Sequence, residues 1–334
     1  MRRRDGLHPM GVLCFLGLTL LAAPGGGEAQ VAKVRLATSL SPPSLDSIVA
    51  YVAAEAGIFR KQGLQVDVVE YRGGATALRA LLAGEVDAGM LGITDAIVAA
   101  SKGAKVAVYV VSQPVTPYHF VARKEAGATF PALVGRNVGV AGIGATAYHM
   151  ARIILARSGV DPERMKYVVV GSPADRFRAL VAGKIDATVV TDTEMAKLAQ
   201  YPEILSLARS ATVVPEIPYI SGMAKEEYLQ KHPETVYGLT KAIIQANRWI
   251  AANKAGTLEV LKKLRKEEPP EVLSRAYDLT DPRLWGPNGD LTESAYRFTA
   301  DFLVKVGYMA AAPPYDGIFD RRFVDRALKE LGRL

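Results

Sequence analysis

Arg79-Ala80-Leu81-Leu82-Ala83-Gly84-Glu85-Val86-Asp87-Ala88 returns in the second half of the chain as Arg178-Ala179-Leu180-Val181-Ala182-Gly183-Lys184-Ile185-Asp186-Ala187. The differences are Leu to Val, Glu to Lys and Val to Ile, so every apolar position stays apolar. Each copy reads as a helix with one apolar face, a glycine that ends it, and an aspartate before a buried strand. Each also sits at the same place in a strand–helix–strand–helix–strand series. Two copies are too few for a solenoid and imply two similar lobes.

Working outward from the first copy, strands are expected at 34–38, 66–71, 87–91 and 106–111, with helices at 48–59, 75–83 and 95–102. Around the second copy the series restarts, with strands at 137–141, 166–170 and 187–190 and helices at 145–158, 173–182 and 192–200. This alternation argues for an α/β fold, a mostly parallel sheet with helices on both faces in each lobe. Two proline-bearing stretches, 113–118 and 213–221, are the linker candidates. Two crossings imply that lobe two, residues 116–221, is inserted into lobe one, residues 30–115 and 222–334. The residues after 222 read as helical, with Pro233-Glu234 at one helix start and Trp249 on an amphipathic stretch.

Residues 1–29 carry Arg2, Arg3 and Arg4, a short apolar run over 11–23, and Gly27-Glu28-Ala29 before the expected cut. This is the grammar of a secretory signal peptide, and it implies a periplasmic protein. The chain's one cysteine, Cys14, lies within it. The mature chain would then hold no disulfide, thiolate zinc site or cysteine nucleophile.

The formal charge is +7, but the basic residues are scattered. The one cluster, Lys262-Lys263-Leu264-Arg265-Lys266, runs into Glu267-Glu268 and reads as a solvated helix face. No nucleic-acid partner is expected. Gly142-Ile143-Gly144-Ala145-Thr146-Ala147 fits G-x-G-x-x-A, yet the next strand ends Val170-Gly171-Ser172 without the acid that a dinucleotide site needs, so no cofactor is expected. No catalytic set and no metal cluster stands out. His149 lies one turn into its helix and reads more simply as a locally bonded histidine than as a ligand group.

Open α/β sheets bind ligands beyond the carboxyl ends of their strands. The ligand-binding candidates there are Ser39, Ser41, Gly73, Gly74 and Thr94 in lobe one, and Gly144, Ala145, Thr146, Ser172 and Asp192 in lobe two. Glycine lets a ligand approach the backbone, and free N–H groups at a helix start favour an anion. Serine, threonine and aspartate at such places also serve as plain N-caps. Arg79 and Arg178 lie on the repeat, away from these loops, and are poor ligand candidates. No arginine is read at a strand end.

Several segments, in order, resemble the periplasmic substrate-binding proteins of nitrate/sulfonate/taurine-type ABC transporters, a group that includes thiamine-precursor-binding relatives. They are Glu55-Ala56-Gly57-Ile58-Phe59-Arg60-Lys61-Gln62-Gly63-Leu64, Gly73-Gly74, Ala83-Gly84-Glu85-Val86-Asp87, Leu133-Val134-Gly135-Arg136-Asn137-Val138-Gly139-Val140, Gly159-Val160-Asp161-Pro162, Ala182-Gly183-Lys184-Ile185-Asp186-Ala187 and the tail from Phe319-Asp320 to Leu331-Gly332. The resemblance implies a type II periplasmic-binding fold with a hinge and an interlobe cleft. It implies a monomer that hands a small polar or anionic solute to a membrane permease. It puts the solute near Ser39, Ser41, Gly73, Thr94, Gly144, Ala145, Thr146 and Asp192. The same fold also hosts enzymes acting on small aromatic or pyrimidine metabolites, and a sensor that partners a membrane receptor is a third reading.

Overall fold

The computed structural model describes residues 31–334. The expected signal peptide, 1–29, lies outside the described residues. Ten strands form two five-stranded sheets. The first is built from β1 (Ala32–Thr38), β2 (Leu64–Glu70), β3 (Ala88–Gly92), β4 (Val106–Val111) and, much later in the chain, β10 (Ile220–Lys225), in the order β2-β1-β3-β10-β4. The second is built from β5 (His119–Arg123), β6 (Asn137–Val140), β7 (Lys166–Val169), β8 (Ala187–Val190) and β9 (Ile204–Arg209), in the order β7-β6-β8-β5-β9.

Four of the five strands in each sheet run the same way, as expected, and one runs against them. β10 runs antiparallel to both β3 and β4, and β5 runs antiparallel to both β8 and β9. Each of these two strands is the first one after a crossing between sheets. The two expected linkers therefore lead directly into buried strands. Ile220-Ser221-Gly222-Met223-Ala224-Lys225 carries little β-branched signal, and its burial rather than its propensity makes it a strand. Each inserted strand slips register once, at Gly222/Met223 against β4 and at Phe120/Val121 against β9.

The repeat has the same geometry in both copies. The helices Gly74–Ala83 and Pro173–Val181 are followed by Gly84 and Gly183, both with positive φ (81° and 68°). A side chain is strained there, so glycine stops the helix cleanly. The aspartate that follows does a second job. Asp87 accepts the backbone N–H of Arg35 at 2.7 Å, while its own N–H donates to the Arg35 carbonyl at 2.9 Å. Asp186 accepts from the N–H of Asn137 at 2.9 Å and donates to the Asn137 carbonyl at 2.9 Å. Each repeat thus clips the last strand of its strand–helix–strand–helix–strand series to the first, β3 to β1 and β8 to β6.

Helix Pro233–Ala252 packs on helix Val49–Glu55 and on β4, against the first sheet. The C-terminal region also touches residues of the second sheet's lobe. Lys197 pairs with Glu268, the Arg209 guanidinium donates to the Leu279 carbonyl at 2.7 Å, and Tyr308 stacks edge-on against His149 at 4.1 Å. Arg265, read as part of a solvated face, is buried. It donates to Glu267 and Glu268 at 2.7 and 2.8 Å, which explains why the acidic pair follows the basic cluster.

Candidate functional site

Four helix N-termini from the two sheets converge on one cleft. Gly73 and Gly92 precede helices Gly74–Ala83 and Ile93–Ser101 on the first side, and Ala145 and Ser172 precede helices Thr146–Arg157 and Pro173–Val181 on the second. Three of these N-cap residues, Gly73, Gly92 and Ala145, supply no capping side chain. Their first-turn N–H groups are left for something else to satisfy. Ser172 is different. It forms a capping box with Asp175 and is occupied with its own helix.

The cleft holds about 550 Å³ of empty space, including the part open to solvent. The first wall is Ser39, Leu40, Ser41, Gly73, Gly74 and Asp95. The second wall is Ala145, Thr146, Ala147, Gly171, Ser172 and Arg176. Tyr118 and Tyr219, one on each crossing, close the base. Their rings meet edge to face at 5.2 Å. The Tyr219 hydroxyl accepts from Tyr118 at 3.0 Å and donates to Asp46 at 3.2 Å, and Asp46 also accepts from Ser44. Burial pushes the Asp46 carboxyl up to about 6 despite that bond from Ser44.

Of the ten sequence candidates, Ser39, Ser41, Gly73, Gly74, Ala145, Thr146 and Ser172 line this cleft. Thr94 is buried behind the wall and bridges the two sides, its hydroxyl 3.3 Å from that of Thr146. Gly144 lies just off the lining, its positive φ of 82° turning the chain into Ala145. Asp192 is buried beside the cleft and accepts from His119 Nε2 at 2.8 Å. His149 is buried in the aromatic packing around Tyr308, and burial pushes its imidazole down to about 4.

The sequence reading found no arginine at a strand end, and here it needs correction. Arg72, two residues past the end of β2, lines the rim. Arg176, one turn into helix Pro173–Val181, lines the cleft and is 1 % exposed. Its Nε and Nη2 donate to the Val189 carbonyl at 3.1 and 3.0 Å, and its Nη1 donates to the Gly171 carbonyl at 2.5 Å. No carboxylate pairs with it among the described residues. A guanidinium has five N–H donors, so these bonds leave two. A sequence signal existed. Pro173, Arg176, Phe177 and Leu180 are the helix's buried residues, and they fall on one helical face. An arginine on an apolar face must either find a partner or wait for one.

Two five-stranded sheets joined by two crossings, each crossing feeding an antiparallel strand, with helix N-termini facing across a cleft, make a periplasmic-binding-protein fold. The chain belongs to the NMT1/THI5-like family, whose model matches residues 44–256. Among its relatives, YtlA of Bacillus subtilis (strain 168) is 22% identical over 327 residues, 96% of this chain and 98% of its own length. The taurine-binding periplasmic protein of Escherichia coli (strain K12) is 27% identical over 240 residues, 70% of this chain and 72% of its own. Among solved structures, the periplasmic nitrate-binding protein NrtA of Synechocystis PCC 6803 matches with a TM-score of 0.75 at 16% identity, over 91% of this chain and 90% of that one. The taurine-type likeness read from the sequence is thus met by a relative, and the fold by the nitrate-binding structure. Among the described residues no helix is long and apolar enough to cross a membrane, and no cluster suited to a metal ion is found.

Proposed function

We propose that this chain is the extracytoplasmic solute-binding component of an ABC importer, and that it holds a small organic solute by an anionic group in the cleft. Residues 30–115 with 222–334 form one lobe and 116–221 the other, hinged at the Tyr118 and Tyr219 crossings. The cleft opens to admit the solute and closes on it, and the loaded form docks on a membrane permease. Export through residues 1–29 delivers the protein to the periplasm. The protein binds and releases, without turnover.

The observation that carries this reading is Arg176. A buried guanidinium satisfied only by carbonyls keeps its full charge, and an uncompensated buried charge is costly unless a counter-ion arrives. The uncapped helix starts at Gly73, Gly92 and Ala145 add positive potential around the same cleft, from both of its sides. Asymmetry of the walls suits a solute with two unlike ends.

The test is a thermal-shift screen of nitrate, sulfonates, carboxylates, amino acids and pyrimidines against the wild type and Arg176→Met. A solute at a hundred times its Kd stabilises by about 2.7 kcal/mol. The expected result is a clear shift with one anionic class, lost in Arg176→Met. Stabilisation by neutral pyrimidines alone, unchanged in the variant, would overturn the reading.

A further inference from the structure

Overlaying the two repeats by sequence pairs Gly84 with Gly183 and Ala88 with Ala187, and the same offset pairs Asp95 with Glu194 and Gly92 with Thr191. In the second copy the acid is spent at home. Thr191 Oγ1 donates to Glu194 Oε2 at 3.0 Å, and the Thr191 N–H reaches the same oxygen at 3.4 Å, so Glu194 caps its own helix. In the first copy Gly92 has no hydroxyl to offer, and the carboxylate of Asp95 makes no hydrogen bond or ion pair among the described residues. Asp95 is 7 % exposed, its Oδ2 is buried without a partner, and it lines the cleft. A Cβ on Gly74 would overlap that oxygen, and one on Gly92 would lie 3.1 Å from it. Both glycines leave room for the acid and supply nothing to satisfy it.

We propose that Asp95 is the recognition residue for a positively charged nitrogen, and that the solute is an ampholyte: a small molecule whose acid group meets Arg176 and whose amino or amidinium group meets Asp95. This rests on the proposed binding role and adds the second end of the solute to it. The chemistry is complementary across the cleft. The second lobe offers a guanidinium with no carboxylate partner and the first a carboxyl group with no partner among the described residues, and no ion pair joins them. One solute carrying both charges satisfies both groups, whereas a simple anion leaves Asp95 buried and without a partner. The other ionisable groups on the lining are Arg72, Arg176, Tyr118 and Tyr219. Arg72 is exposed on the rim, and the hydroxyls of the two tyrosines are bonded to each other, so none of the described contacts satisfies Asp95 in the solute's place.

The experiment uses matched pairs that differ only in the nitrogen: 2-aminoethanesulfonate against ethanesulfonate, and 3-aminopropionate against propionate. Each is titrated into the wild type and Asp95→Asn by calorimetry, with thermal shift as the second readout. Asp95→Asn keeps the shape and removes an unpaired charge, so it should fold at least as well as the wild type. Expected is at least tenfold tighter binding of the aminated member in at least one pair, with the preference abolished or reversed in Asp95→Asn. Equal or tighter binding of the nitrogen-free member, a preference that survives in Asp95→Asn, or no binding by any pair overturns the ampholyte assignment. In each of these outcomes the importer reading stands if some anion in the wider screen binds through Arg176, and it falls separately if none does.

Discussion

The two lobes share one plan and differ at the residues that face each other. Where the first has Ala77, buried in its helix, the second has Arg176. Where the second has Thr191 capping with Glu194, the first has Gly92 beside an unsatisfied Asp95. Each difference leaves one buried ionisable group without an ion-pair partner among the described residues, a base on one lobe and an acid on the other. The glycine stops and the aspartate clips, by contrast, are the same on both sides. The duplicated parts hold each sheet together, and the parts that differ face the cleft.

The sharpest way to break this comparison is to make the lobes alike at the cation. Arg176→Met should weaken binding of an anionic solute by about 2–5 kcal/mol, some thirty-fold to several-thousand-fold, as expected when one partner of a buried charge contact is lost. Arg176→Lys should recover part of it, because the charge returns without the planar fork. Unchanged affinity by titration calorimetry in both variants would remove Arg176 from the site.

The next largest effect concerns the free protein and Asp95. Burial pushes its carboxyl from an ordinary 3.8 up to about 7. Between those values the folded form keeps a proton that the unfolded form has released. Stability from this group therefore falls as pH rises from about 4 to about 7 and is level above that, by roughly 4 kcal/mol at most. Asp46 pulls the same way up to about 6. His149, held down at about 4 against an ordinary 6.5, pulls the opposite way, its contribution being lost as pH falls through that window. Comparing wild type with Asp95→Asn isolates the first. In urea unfolding, Asp95→Asn should be the more stable protein above pH 7, with the gain shrinking toward pH 4. A gain that is the same at pH 4 and pH 8 would show that the carboxylate is already satisfied.

Smaller effects separate the cleft from the scaffold. Gly92→Ala places a Cβ onto the Thr146 hydroxyl across the cleft. It should oppose the closed arrangement and cost about tenfold in affinity, near 1.4 kcal/mol, by calorimetry. Thr191→Ala removes the capping hydroxyl from the equivalent position of the other lobe. It should cost about 1 kcal/mol of stability in urea unfolding and leave affinity unchanged.

Most of the framework was legible in the sequence. The repeat, its glycine stops and the helices around both copies follow from apolar spacing, which is a local property, while the helices after 233 were read only as a helical region. β5, β9 and β10 were not, and a strand such as Ile220–Lys225 owes its conformation to neighbours on both sides and not to its own residues. The cleft loops were legible for a related reason: strand ends and glycines announce them. The two charges were not read, because an unpaired ion is defined by what is missing around it. Arg176 left a trace as an arginine on an apolar helix face, and Asp95 left one as the repeat position that lost its capping threonine. Both traces require comparing the lobes position by position rather than reading each loop alone.

If one solute joins Arg176 on one lobe to Asp95 on the other, proton counting on binding reports it. Calorimetry of 2-aminoethanesulfonate or 3-aminopropionate, whichever binds, is run at pH 7 in two buffers of unlike ionisation enthalpy. With the Asp95 carboxyl near 7, a bound ammonium pulls it down, so about half a proton should be released per solute, and none in Asp95→Asn. Proton uptake on binding, or release that persists in Asp95→Asn, would contradict the account.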